Sequence, residues 1–537
     1  MKAGPRVGTW LVVGALFGWG ALAACGGTVH DAGPDLPQAV SDGGAEADAS
    51  NVQPASDATT GATDSCSGAC TDAAPEVGSD ASDAGAASDG VTAADGDAVG
   101  DEAVTGSTSD ASIATERCHV SWPQPSGLTV SSNGVQLVSD SAGGAYLVVT
   151  YGEPSTLDPM SAPLPTLDLG VSTAGYQTGV AIVRVDSQCS VSWVREIGAA
   201  TFSNNTDISN IAAGVDSSSR LTIAGSFWGS VDLGVGVVST PADASTWSYE
   251  TYVLQIDPTG SIVFRTVFRS DGPLGNLPTA LAVSPSGASA VLVTGGSNAD
   301  FGDMPDAAIA PNGVTSVRYL VELDASGRVV TRTAVGTGSL SAPPPVILSQ
   351  VAFDSTGTLW AVGDDVDAGG QSVKLLGDSA SLDWQQPIAQ GDLFAAGTGG
   401  AALLDTSGTT AEIEALQPPG ADGGAPSTQS ATVSLGSLSQ GQQLIIDDDR
   451  DVVLAGVIPT GDVEVDAGVY VSGGPSQLAY RAFDPTGALV SYGAWVTTLE
   501  PRFGAAAVAV GGDVLLAGQT IPPSGETATL FVARLMR

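Results

Sequence analysis

The chain has 537 residues, with 58 Asp and Glu against 17 Lys and Arg and a formal net charge of −41. A surface this acidic repels phosphate backbones and anionic headgroups, which argues against nucleic acid as a partner. With two histidines in the whole chain and Lys374 as the only lysine after Lys2, histidine triads and Schiff-base chemistry are also disfavoured.

At the amino end, Lys2 and Arg6 precede an apolar run from Trp10 to Leu22, closed by Leu22-Ala23-Ala24-Cys25. A charged front, a short apolar middle and a small-residue end make residues 1–24 a secretory signal rather than a spanning helix. The closing residues resemble the lipobox of bacterial lipoproteins. That resemblance implies that Cys25 carries lipid and holds the mature chain to a membrane, and Gly26 behind it implies delivery to an outer membrane or cell surface.

Residues 25–115 are expected to form a disordered tether. From Gly26 to Asp110 there are 17 acidic residues, no Lys or Arg and no aromatic side chain. Such a segment cannot bury enough apolar surface to offset its chain entropy. As a flexible coil it reaches roughly 50 Å, and self-repulsion lengthens that. Cys66 and Cys70, within this stretch, suit either a small disulfide loop or a link between chains. No His or further Cys stands near them to complete a zinc site.

Residues 116–537 show almost no helical period. Short apolar runs such as Tyr146 to Thr150, Leu221 to Ala224, Tyr252 to Ile256 and Val514 to Ala517 alternate with turn residues. Asp257-Pro258-Thr259-Gly260, Asp324-Ala325-Ser326-Gly327 and Asp484-Pro485-Thr486-Gly487 repeat one hairpin turn. In it Asp accepts backbone hydrogen bonds and Gly supplies the left-handed conformation. A second turn begins near Asp140, Asp216, Ser284, Asp354, Asp405, Asp447 and Asp513. The spacing predicts an all-β fold, a β-propeller of about seven four-stranded blades, with tandem sandwiches as the alternative.

The stretch Asp216 to Gly225, with Asp232-Leu233-Gly234 and then Tyr252 to Gly260, resembles the seven-bladed propeller repeat of exported bacterial surface proteins. Partial echoes stand at Asp168-Leu169-Gly170 and Asp300-Phe301-Gly302. The resemblance implies a surface propeller and names no activity.

Long connections are expected on one face of such a ring and short turns on the other. The long-loop face is the expected ligand site, presenting Phe227, Trp228, Asp232 and Trp247 to a glycan or protein ligand; the competing role for these aromatics is packing the loops down. The expected function is a binding or scaffold module without a cofactor, and the alternative is a carbohydrate-active enzyme using loop carboxylates. Asp447, Asp449 and Asp451 alternate as in a calcium loop, but Val452 stands where such loops want Gly. Asp354-Ser355-Thr356-Gly357 followed by Trp360 has one residue too many for the Asp box of sialidase propellers.

Two expectations concern the ring's ends. Val532 to Leu535 matches Ile182 to Val185, so Cys118 to Trp122 is expected to supply the outermost strand beside Leu530 to Leu535 and close one blade from both termini. Cys118-His119-Val120-Ser121-Trp122 also matches Cys189-Ser190-Val191-Ser192-Trp193, placing both cysteines on splayed outer strands, beyond the ~7 Å disulfide limit and unbridged.

Overall fold

In the computed structural model the described residues run from 112 to 537 with interruptions, the longest being 153–177, 303–315 and 418–426. Cys25, Cys66, Cys70, Trp247 and nearly all of the expected tether lie outside the described residues. Among the described residues, seven sheets each contain a meander of four antiparallel strands. Their innermost strands are Thr129–Ser139, Asp207–Val215, Asn276–Val283, Val346–Phe353, Leu393–Gly397, Gln440–Ile446 and Glu500–Val508. Each adjoins the next in chain order and the seventh returns to the first, so the sheets form a closed ring. The chain is an all-β propeller, not a row of sandwiches.

The middle strands explain why apolar runs replace simple alternation. Leu221–Trp228 is buried at every position but the last, and Glu250–Ile256 at all of them, because both faces of a blade press on neighbouring blades. Close approach continues at the axis. A Cβ on Gly214 would stand 2.7 Å from Val283 of the next inner strand.

The turns show what the repeated Asp does. In Asp257 to Ser261 the Asp257 N–H donates to the Ser261 carbonyl at 2.8 Å, and the Gly260 N–H returns to the Asp257 carbonyl at 2.9 Å. One carboxylate oxygen, Oδ1, accepts the Thr259 and Ser261 N–H groups at 2.8 and 2.9 Å. The same double acceptance recurs at Asp140, Asp216, Asp354 and Asp447, the first-turn residues between inner strand and second strand. Two turn positions differ from expectation. Asp405 lies within strand Gly400–Ser407, opposite Glu412, because in the fifth blade the pairing of the first two strands ends at Gly397 opposite Gly400 instead. The seventh blade's turn opens at Ala509, and Asp513 occupies its last place.

Two of these Asp-x-Gly stretches prove to be fasteners between blades, while Asp168-Leu169-Gly170 lies outside the described residues. Ser230–Asp232 leaves the second blade and pairs with the first blade's outer strand, Asp232 opposite Gly198. Ala299–Asp300 leaves the third blade in the same way, with Asp300 opposite Arg269 of the second. Asp232 and Asp300 each accept the N–H of the glycine two residues on at 2.8 Å, and Gly234 and Gly302 sit at φ near +82° and +84°. Leu233 and Phe301 between them are fully buried.

Closure pairs the two strands that were expected to meet. Glu116–Pro123 pairs with Thr529–Leu535, Val120 opposite Val532 and Trp122 opposite Leu530. Ser112–Ala114, within the stretch expected to be tether, forms a further strand, parallel to Ser491–Gly493 on the sixth blade. The expectation for the cysteines is wrong: Cys118 and Cys189 form a disulfide with Cα atoms 5.9 Å apart. Matching the two Cys-x-Val-Ser-Trp stretches was the error. Cys118 lies opposite Arg534, as Trp193 lies opposite Arg184, so Cys118 stands in mid-strand. Cys189 instead sits in the turn before the first blade's outer strand, and that turn leans onto the seventh blade.

Candidate functional site, an axial funnel

The ends of the seven inner strands and the turns that follow them line a concavity of about 840 Å³ on the ring axis. Its wall is small and aliphatic, with Leu137, Ala213, Val283, Ala352, Ala395 and Ala506 among the lining residues and Gln443 as a polar exception. Gln443 Oε1 accepts the Ala506 N–H at 2.7 Å, joining the sixth and seventh inner strands. Its edge carries carboxylates: Asp140, Asp216, Asp354, Asp447, Asp448 and Asp449.

Most of that acidity is already engaged. Arg184 Nη2 donates to Asp140 at 2.8 Å and Arg220 Nε to Asp216 at 2.6 Å. Arg537 reaches both Asp447 and Asp451. Burial and the neighbouring Asp447 carboxylate raise the Asp451 pKa despite that guanidinium. Asp354 differs: its Oδ2 accepts from the Trp360 indole N–H at 3.1 Å, a neutral donor. Asp448 and Asp449 are exposed at the rim. Asp447 spends Oδ1 on the N–H groups of Asp449 and Asp451 and Oδ2 on Arg537, which leaves no calcium loop there. Among the described residues no group of three or more His, Cys, Asp or Glu is placed to hold a metal.

Of the residues expected to present a ligand surface, Trp247 lies outside the described residues. Phe227 is fully buried between the first and second blades, the outcome of aromatics packing the loops down. Asp232 closes its own turn onto Gly234, and Trp228 is half-buried at the end of its strand. The rim was not an expected site, because Asp447 reads as a hairpin-turn residue and Asp447, Asp449 and Asp451 only as an imperfect calcium loop. The shared turn position was the signal that puts these carboxylates around one axis.

One further carboxyl stands apart. Glu196, on the first blade's outer strand Val191–Ala199, accepts from the Tyr151 hydroxyl at 3.3 Å. Burial pushes its pKa up to about 7, against the smaller opposing effect of that hydroxyl.

No family model matches the chain, and no curated protein matches it. Among solved structures, a protein of unknown function from Dyadobacter fermentans aligns over 79% of this chain and 99% of its own, with 10% identity and a TM-score of 0.39. A chain of the mitotic checkpoint complex aligns over 83% of this chain and 99% of its own, with 12% identity and a TM-score of 0.40. A neuraminidase-like protein of A/flat-faced bat/Peru reaches 9% identity and 0.30 over 79% and 95%. Likeness this distant carries no functional argument, and the ring is established by its own sheets.

Proposed function

We propose that this chain is a binding or scaffold module of a bacterial cell envelope, held at an outer membrane or cell surface by lipid on Cys25 and displayed on the 25–115 tether. The observation that supports binding is the axial funnel, a concavity of about 840 Å³ lined by small and aliphatic side chains with exposed Asp448 and Asp449 on its rim. A rim of this charge suits a protein or glycan ligand that offers cationic groups or hydroxyl donors. Export is supported by the Cys118–Cys189 bridge, since such bonds persist in oxidising compartments. The seven meanders fit the resemblance to seven-bladed bacterial surface propellers.

Two experiments test this reading. Metabolic labelling with a fatty acid, on wild type and Cys25→Ser, is expected to label only the wild type; equal labelling of both sinks the anchor. Glycan and peptide arrays probed with the full chain are expected to show a ligand whose binding weakens at least tenfold in Asp448→Asn/Asp449→Asn. Undiminished binding by that variant removes the funnel from the reading. The carbohydrate-active alternative draws on Glu196, whose raised pKa suits a proton donor. Release of sugar product, lost in Glu196→Gln, would move the assignment to that class.

A further inference from the structure

The disulfide belongs to a repeated contact between blades. On the first blade's outer strand, Trp193 donates its indole N–H to the Pro258 carbonyl in the second blade's Asp-Pro-Thr-Gly turn at 2.9 Å. A Cβ added to Gly260 of that turn would stand 3.2 Å from the Trp193 ring. One blade on, Phe264 presses on Gly327 so closely that a Cβ there would approach within 2.3 Å. Each contact sets an outer-strand aromatic against the left-handed glycine of the next blade's turn. Between the seventh and first blades the same two places hold Cys118 and Cys189, and Cys189 keeps the glycine's conformation with φ of 60°. Where the chain's ends meet, a covalent bond replaces a packed pair.

The position of the bond along the chain gives it a further property. Every other link across this seam acts at or beyond the closing strand. Arg117 and Arg534 share Asp513 at 3.1 and 2.7 Å, and Arg534 also donates to the Gly143 carbonyl at 2.6 Å. Cys118 lies near the start of Glu116–Pro123, on the side from which the tether arrives. Tension entering from residue 111 first meets the three-residue pairing of Ser112–Ala114, then the Glu116 pair with Leu535 and the Arg117–Asp513 ion pair, and then the sulfur bridge. The bridge passes that tension into the first blade before it reaches the hydrogen bonds from Val120 to Pro123.

We infer that the Cys118–Cys189 bond is a strain relief: it keeps a pull on the tether from unzipping the strand that closes the ring. This use of the bond rests on the tethered reading above. Without the bond, a pull from the amino side loads the pairs between Glu116–Pro123 and Thr529–Leu535 one at a time, the weakest way to load a ladder. With it, the chain beyond Cys118 carries no tension, and the tethered propeller stays closed while its ligand or its anchor moves.

The test is a single-molecule pulling experiment on the mature full chain, held by a peptide handle in place of Cys25 and by a second tag inserted within 418–426, on the fifth blade. Wild type is expected to give one main rupture, preceded only by the short release of Ser112–Ala114. Cys118→Ser is expected to add a low-force step of roughly 29 Å, the extended length of the eight residues of Glu116–Pro123. Because Cys118→Ser leaves Cys189 strained, a second variant, Cys118→Trp/Cys189→Gly, restores the packed pair used elsewhere in the ring. It is expected to keep the thermal midpoint within a few degrees of wild type and still show the early step. Identical traces for wild type and both variants, or the ~29 Å step in the wild type, overturn the inference. Since the handle stands in for lipid, failure of Cys25 labelling leaves these traces unchanged, and coincident traces leave the anchor untouched.

Discussion

The stretch of ring from the sixth blade through the seventh to the second and the stretch through the fourth and fifth share one backbone plan and are fastened differently. In the first stretch an arginine on the third strand grips its own blade's turn and the next blade's turn together. Arg184 bonds Asp140 and the Pro258 carbonyl, and Arg534 bonds Asp513 and the Gly143 carbonyl. Connections after the second strand are long there, and that of the second blade folds back as a fastener on the blade before. In the fourth and fifth blades those connections shrink to 366–369 and 408–409, too short to reach a neighbour. There the turn carboxylate Asp354 is met by Trp360 of the next strand, and the core is a small cluster of Trp360, Val362, Ala401, Leu403 and Leu416. The difference teaches that inner-strand packing suffices where the chain is continuous, while directed charge pairs concentrate around the break.

Deleting Glu116–Pro123 removes the outer strand of the seventh blade and the buried Trp122 at once, and is the harshest test of that contrast. The expected loss is about 5 kcal/mol or more, read as a lower, broader denaturant transition. Next in size is Arg537→Ala. It leaves Asp447 and Asp451, both largely buried, facing each other without their guanidinium, and is expected to cost about 3 kcal/mol. A cost below about 1 kcal/mol would show that the charge pairs are incidental to closure. Trp360→Phe probes the other stretch. It strips one donor from Asp354 while keeping most of the ring volume, so urea denaturation is expected to shift by about 1–2 kcal/mol.

The smallest effect concerns pH. Glu196 has a folded pKa of about 7 against an ordinary value of 4.5, so the folded state holds the extra proton between those values and stability falls as pH rises through them. Partial exposure limits the change to about 1 kcal/mol. Glu196→Gln is expected to flatten it in thermal melts at pH 5 and pH 7.5; an unchanged slope would assign the dependence to other groups.

The sequence disclosed most of this fold because its turns are chemical. An Asp that caps two N–H groups and a glycine at positive φ leave the same spelling wherever they occur, and the split blade could be read from Val532 to Leu535 alone. Register inside the closing strand was not legible in that way. The seventh blade lacks the turn that sets the others, so matching its cysteine with Cys189 shifted the strand against Thr529–Leu535 and hid the disulfide. The roles of Leu233 and Phe301 were equally hidden, since a motif that recurs for packing between blades is spelled like one that recurs within them. For the funnel, composition gave the aliphatic wall, but only the common turn position brings Asp354, Asp448 and Asp449 to one rim.

The pairing of Glu116–Pro123 with Thr529–Leu535 also sets an order of events during synthesis. The strand made first among the blades has its neighbour among the last residues to be made. Until those residues emerge, six blades can assemble in sequence while the seventh has no third strand and the leading strand has no lawful place to lie. A nascent propeller halted short of Thr529 leaves its first strand without that partner.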